Sequence, residues 1–408
     1  MPHQNKKSNQ KFKMSNLPIV ILKSGKDQSV RRFHPWVFSG AIKKIKGNVN
    51  EGDLVAVYDN KDEFLAIGHY QIGSIAVRIL TFKDEEIDGD FWKKKIETAY
   101  RLRKEIGLAG SEQTNAYRLV GAEGDGMPGL IIDFYNGTAV VQMHSVGMYK
   151  IQDILVEALK DVLGDELKAV YNKSEGSLPF KANLNPVNDY VWGKPESKIA
   201  LENGLKFQVD WEKGQKTGFF IDQRENRALL EKYSKDKDVL NMFCYTGGFS
   251  FYAMRGGARS VHSVDSSERA ISITDKNVEL NFPGDERHES FAKDAFKYLE
   301  NAKDKYDLII LDPPAFAKHL NVVHNALQGY KRLNAIAFEQ IRPGGIIFTF
   351  SCSQVVSKDM FRKMAFSAAA RAGRQVRILH QLTQPADHPI NIYHPEGEYL
   401  KGLVLQVL

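Results

Sequence analysis

Two cysteines in 408 residues, Cys244 and Cys352, are too few and too far apart to form a disulfide framework. Without several histidines beside them they also supply too few soft ligands for a structural zinc site, so no metal is expected. No apolar run is long enough to span a bilayer. Residues 1–15 are polar and rich in Lys, Asn and Gln, which argues against a secretory leader and makes the cytoplasm the expected compartment. A Gly-x-Gly-x-x-Gly turn is also missing, so the chain lacks the backbone cradle that a dinucleotide pyrophosphate needs.

Charge is unevenly spread. Residues 1–82 hold ten Lys and three Arg against six acidic residues, a surplus of seven, whereas the whole chain carries only +6. A basic module on a near-neutral body suits a polyanionic partner. Residues 1–16 read as a disordered basic tail.

Short strands separated by Gly and Asp turns at 19–22, 54–58, 64–70 and 75–80 predict a small β-barrel over 17–82. Residues 91–106 predict an amphipathic connecting helix, with Lys and Arg on the face away from Phe91, Ile96 and Ala99. A central α+β unit over 83–186 follows, marked by the hairpin signal Asn136-Gly137. Beyond a further hairpin at 199–209, strand and helix alternate at 239–242, 260–265, 306–312 and 345–351, and 398–408 closes the pattern as a strand. Such alternation predicts an α/β domain over 187–408 with a mainly parallel sheet.

After the first strand of that domain comes Asn241-Met242-Phe243-Cys244-Tyr245-Thr246-Gly247-Gly248-Phe249-Ser250, a glycine-bearing turn into a helix. It lets a ligand approach the backbone but does not cradle phosphates, which suits S-adenosylmethionine. Asp265, about 20 residues past that turn, is placed to bind a ribose diol, with helix capping as its alternative. Asp294 reads as a partner of the adenine amino group or, almost equally, as a cap. Phe219 or Phe220 would cover the adenosine, and Thr217, Gln223 and Arg224 would hold the methionine tail. Core packing is the default for each Phe.

Leu308-Ile309-Ile310-Leu311 delivers Asp312, and Ile346 to Ser351 delivers Cys352, to the carboxyl ends of two strands, where open α/β sheets bind their ligands. A carboxylate and a thiol meeting there suggest nucleophilic chemistry on a planar ring.

The chain resembles the cytosine-5 methyltransferases of large-subunit (23S) ribosomal RNA that carry an N-terminal PUA domain. The resemblance spans essentially the whole length and rests on Arg31 to Gly40, Lys216 to Arg227, Phe243 to Ser250, Asp312-Pro313-Pro314-Ala315-Phe316, Ser351-Cys352-Ser353 and Pro395 to Gly402. It implies a PUA barrel, a central α+β domain and a Rossmann-like class I methyltransferase domain with a seven-stranded sheet. It also implies S-adenosylmethionine as donor, a ribosomal RNA cytosine as acceptor, and cofactor contacts from Phe243, Tyr245, Gly247, Gly248 and Asp312. Cys352 would add to carbon 6 of the ring, while Asp312 would bind its nitrogen or amine. Where many relatives place a second cysteine beside Pro-Pro, this chain has Ala315, so the motif does not supply the releasing base. Arg31, Arg32, Lys43, Lys44 and Lys46 would contact phosphates, and Trp36 and Phe38 are better read as barrel core. Amino-group methylation of guanine or adenine, and a catalytically silent ribosome-assembly factor, are the competing readings; a homodimer is left open.

Overall fold

In the computed structural model, which describes residues 17–178, 184, 186–317 and 319–408, the N-terminal strand signals become a six-stranded sheet. Its strands are β1 (Ile19–Leu22), β2 (Trp36–Phe38), β3 (Ile42–Lys46), β4 (Leu54–Tyr58), β5 (Phe64–Tyr70) and β6 (Ile75–Thr81), in the order β2-β6-β5-β4-β1-β3. Alternate side chains point to one face, so Val20 and Leu22, Val55 and Val57, and Val77 and Ile79 meet in one core. Strands β2 and β3 escape a sequence reading, because β2 has three residues and Ile-Lys-Lys-Ile-Lys offers little apolar alternation. Trp36 and Phe38 are not core residues. Phe38 is 45% exposed, while Trp36 turns outward, donates from Nε1 to Glu123 (2.9 Å) and stacks under Arg78. The expected tail at 1–16 lies outside the described residues.

The central sheet comprises β7 (Ala116–Gly121), β8 (Leu130–Tyr135), β9 (Thr138–Met143), β10 (Ala169–Asn172) and β11 (Asp189–Gly193), in the order β11-β10-β9-β8-β7. Asn136 (φ 43°) and Gly137 (φ 88°) both take the left-handed backbone that a tight β8–β9 hairpin requires. A helix over Gln152–Leu163 carries the chain from β9 to the parallel β10. Asp88 caps the helix Gly89–Glu105 by accepting from Phe91 N, and that helix buries Phe91, Trp92, Ile96 and Ala99 in the central core rather than merely connecting two domains. Arg103 corrects the expected solvent face. It is fully buried, with its guanidinium forked onto Asp125 (2.6 and 2.8 Å) and donating to the Asp387 carbonyl.

A two-stranded hairpin, β12 (Ile199–Glu202) and β13 (Leu205–Gln208), precedes the largest sheet. That sheet contains β14 (Asp238–Met242), β15 (Ser260–Asp265), β16 (His288–Ala292), β17 (Leu308–Leu311), β18 (Ile346–Ser351), β19 (Val376–Leu382) and β20 (Lys401–Val407), in the order β16-β15-β14-β17-β18-β20-β19. All neighbours run parallel except β20, which is antiparallel to both β18 and β19. The fold is therefore α/β with a Rossmann-like seven-stranded sheet. Every residue of β17 is buried, as a central parallel strand covered on both faces demands. Strand order reverses between β14 and β17, and the crevice at the carboxyl ends of those strands gathers the candidate residues. Among the described residues no helix is long and apolar enough to cross a membrane.

Candidate active site

A cavity of about 350 Å³ opens at that crevice, lined at one end by Phe243, Tyr245, Gly248, Asp265 and Asp294 and at the other by Asp222, Gln223, Asp312, Pro313 and Cys352. Its first end is built largely from backbone. Phe243 (φ 58°), Tyr245 (φ 49°) and Gly247 (φ 86°) alternate into the left-handed region, a conformation costing non-glycine residues on the order of 1–3 kcal/mol each and usually kept at ligand sites. Asp265 fixes this loop by accepting from Tyr245 N (3.0 Å) and Ser267 N (2.9 Å). Ser267, not Asp265, caps the following helix. Each carboxylate oxygen has a second lone pair, so Asp265 retains acceptors for a diol. Asp294 does cap its helix, through Lys297 N (2.9 Å), and still faces the cavity.

The other end is made of titratable side chains. Burial, then the nearby Asp222 charge, pushes the Asp312 carboxyl up to about 7; the hydrogen-bonded Gln223 and the cations Lys216 and Arg227 offset this only in part. Burial would also raise Asp222, but Lys216, His388, a hydrogen bond from Tyr399 (2.8 Å) and Arg118 outweigh it and keep that carboxylate below its ordinary range. The Cys352 thiol is raised by burial and by Asp312, and lowered by Lys216. Behind it lies Lys401, the cross-strand partner of Ser351. Lys401 is 4% exposed and donates to the Ser353 carbonyl. Burial brings its ammonium down to about 8, while proximity to Cys352 acts in the opposite direction. Lys216, Asp222 and Lys401 were not singled out by sequence, because their role depends on neighbours far away in the chain. Cys244 also borders the cavity, but it is buried and its thiol is held protonated by burial and by Asp265.

Several expected contacts lie elsewhere. Thr217 is buried outside the cavity, its hydroxyl donating to Asp133 (2.5 Å) beside Tyr135, so it braces the central sheet. Arg224 is likewise committed: it donates to Asp387 (2.6 Å) and to the Ala116 carbonyl, tying the two large sheets together. The neighbouring cation that faces the cavity is Arg227, held bidentate by Glu202 (2.8 and 2.7 Å) with its guanidinium over Phe219. Gly247 does not line the cavity either; a Cβ there would meet Phe251 at 2.5 Å, so its task is the turn itself. Phe219, Gln223, Phe243, Tyr245 and Gly248 do line it. In the N-terminal domain, Arg31 is neutralised by Asp27, Asp59 and Glu63, which corrects its reading as a phosphate contact. Lys46 faces Asp62 at 3.7 Å, whereas Arg32, Lys43 and Lys44 are exposed.

Carboxylates at Asp265, Asp294 and Asp222 repel phosphate and suit hydroxyl, amine and sulfonium groups, so the donor set fits S-adenosylmethionine. The pattern of S-adenosylmethionine-dependent methyltransferases matches residues 130–401, and that of the PUA-like domain matches residues 20–82. Relatives called ribosomal RNA large subunit methyltransferase I include one from Alteromonas mediterranea, 42% identical over 394 residues (95% of this chain, 98% of the relative), and one from Pseudoalteromonas atlantica, 41% identical over 399 residues (95% and 99%). Among solved structures, a protein described as a SAM-dependent methyltransferase from Streptococcus mutans superposes with a TM-score of 0.81 at 26% identity, covering 95% of this chain and all of that one. SMU.776, described as a methyltransferase and complexed with SAH, superposes with a TM-score of 0.82 at 25% identity over the same shares. S-adenosylmethionine is thus the cofactor, and this chain belongs to the family of S-adenosylmethionine-dependent methyltransferases, with a PUA-like domain at its N-terminal side.

Proposed function

We propose that the protein methylates carbon 5 of a cytosine in large-subunit ribosomal RNA, with Cys352 as a transient covalent nucleophile. The observation that carries this reading is the pairing of Asp312 and Cys352, which leave the adjacent strands β17 and β18 and line one cavity together with the donor loop. The names of the relatives support ribosomal RNA as the substrate class.

Carbon 5 of cytosine is a poor nucleophile, so its electron density must first be raised. When bound, S-adenosylmethionine supplies an electrophilic methyl group on a sulfonium. Cys352, as thiolate, forms a bond to carbon 6 and pushes the ring electrons toward carbon 5. Asp312, whose carboxyl holds its proton near neutrality, donates a hydrogen bond to the ring nitrogen and offsets the charge developing there. Lys216 and Lys401 are the local cations that favour the thiolate. Once carbon 5 carries its methyl, transfer of its proton to solvent water returns an electron pair that breaks the carbon–sulfur bond and frees Cys352 as the thiolate. The target base must be splayed or flipped to reach this half-buried thiol. Exposed Arg32, Lys43 and Lys44 are suited to holding the RNA backbone.

Amino-group methylation needs no thiol and uses an aromatic directly after Pro-Pro, a position Ala315 occupies here. Mass spectrometry of nucleosides from ribosomal RNA treated with the enzyme and cofactor tests the assignment. 5-Methylcytidine is expected; N2-methylguanosine or N6-methyladenosine would overturn it, and no methylated nucleoside would indicate a silent assembly factor.

A further inference from the structure

A second cavity, of about 880 Å³, lies in the seam between the central sheet and the methyltransferase domain, and nothing in the chemistry described so far uses it. It adjoins the first. Lys216 lines both cavities, Tyr399 lines the second while donating to Asp222 in the first, and Gln354 on its wall is two residues past Cys352. We propose that this seam seats the single-stranded nucleotides flanking the target cytosine, so that RNA reaches Cys352 along the central domain. The inference rests on the RNA-methylating function proposed above.

The lining has the chemistry of a nucleotide channel. Arg118, Lys173 and Lys216 present cations, and the two acidic residues on the wall are engaged: Glu123 by Trp36 and Arg78, Glu175 by Asn188. Arg118 spends two of its donors on Asp133. Lys173 donates to the Gly214 carbonyl, and its ammonium is lowered by burial, so an approaching phosphate would find a poorly hydrated cation. Among the described residues, Gln142 and Gln354 make long contacts of 3.5 Å to backbone carbonyls, which suits their amides to reading base edges. The volume falls within the roughly 300–1,000 Å³ of small-ligand sites, which suits a few unpaired nucleotides and is too small for a duplex. Lys216 at the shared wall has a left-handed backbone (φ 48°), the strained geometry commonly retained where a side chain must be aimed.

The test uses the full-length protein, a short fluorescein-labelled single-stranded RNA with one central cytosine, and the same RNA carrying 4-thiouridine beside that cytosine. Lys173→Gln should weaken binding about tenfold and reduce the salt slope by about 0.7. Gln354→Ala, at an exposed position where folding is not at risk, should weaken binding about threefold. Photocrosslinks should map to the segments around Gln142, Lys173 or Gln354. Cofactor affinity and the alkylation rate of Cys352 should stay unchanged in both variants. Unaltered RNA affinity in both variants, with crosslinks confined to the PUA-like domain, would overturn the proposal. Because binding and crosslinking need no methyl transfer, they stand or fall separately from the identity of the methylated base.

Discussion

The two ends of the active-site cavity are made from different materials. At the end lined by Phe243, Tyr245 and Asp265 the backbone does most of the shaping: left-handed turns at Phe243, Tyr245 and Gly247, pinned by Asp265. At the other end Lys216, Asp222, Asp312, Cys352 and Lys401 come from distant segments, and the titration of Asp312, Cys352 and Lys401 depends on their neighbours and on burial. A backbone-built end is set by local sequence, whereas a charge-built end exists only once the sheets are assembled. Variants should therefore separate cleanly into losses of chemistry, of assembly and of cofactor affinity.

Cys352→Ala should abolish methyl transfer by roughly 10⁴-fold while leaving cofactor affinity unchanged in calorimetry; retained turnover would reject covalent catalysis. Arg224→Ala leaves the Asp387 carboxylate buried without its arginine partner. It should lower stability in urea titrations by about 3–5 kcal/mol, while cofactor affinity per folded molecule is preserved. Asp265→Ala removes a charged hydrogen-bond acceptor and should weaken cofactor binding by about 1.5–3 kcal/mol without changing Cys352 reactivity.

Asp312→Asn should reduce turnover and raise stability at alkaline pH. Its folded-state pKa is raised from 3.8 to about 7, so the native state prefers the protonated acid. Relative to the Asn variant, wild-type stability is therefore best below 3.8, declines as pH rises from 3.8 to about 7, and is level above that. The gap at the plateau should be on the order of 4 kcal/mol in denaturation measured across pH. The smallest effects should come from the N-terminal domain. Arg32→Ala, Lys43→Ala and Lys44→Ala each should reduce the salt slope of RNA binding by up to about 0.9, and Arg31→Ala, already neutralised by three carboxylates, should change it least.

Much of the architecture was legible because its signals are local. Asn136-Gly137 announces a hairpin, the β17 run of four apolar residues announces a buried parallel strand, and Gly247-Gly248 marks the turn into a helix. Strand β19 carries little sequence signal, since its residues are mostly exposed and show no apolar alternation. In the site, Asp265, Asp312 and Cys352 were legible as residues ending strands. Thr217 and Arg224 were not, because adjacent side chains on the same segment divide between cavity and scaffold according to partners such as Asp133 and Asp387. Lys401 gave no signal, as its importance comes from a cross-strand register with Ser351 that only the folded sheet sets.

The covalent step is tested most directly with RNA carrying 5-fluorocytidine at the target base, because fluorine at carbon 5 cannot leave as a proton and the carbon–sulfur bond stays intact. Incubation with S-adenosylmethionine should give a denaturation-resistant protein–RNA adduct that peptide mapping places on Cys352 and that Cys352→Ala does not form. Methyl transfer to unmodified RNA with no such adduct, or an adduct on another residue, would contradict it.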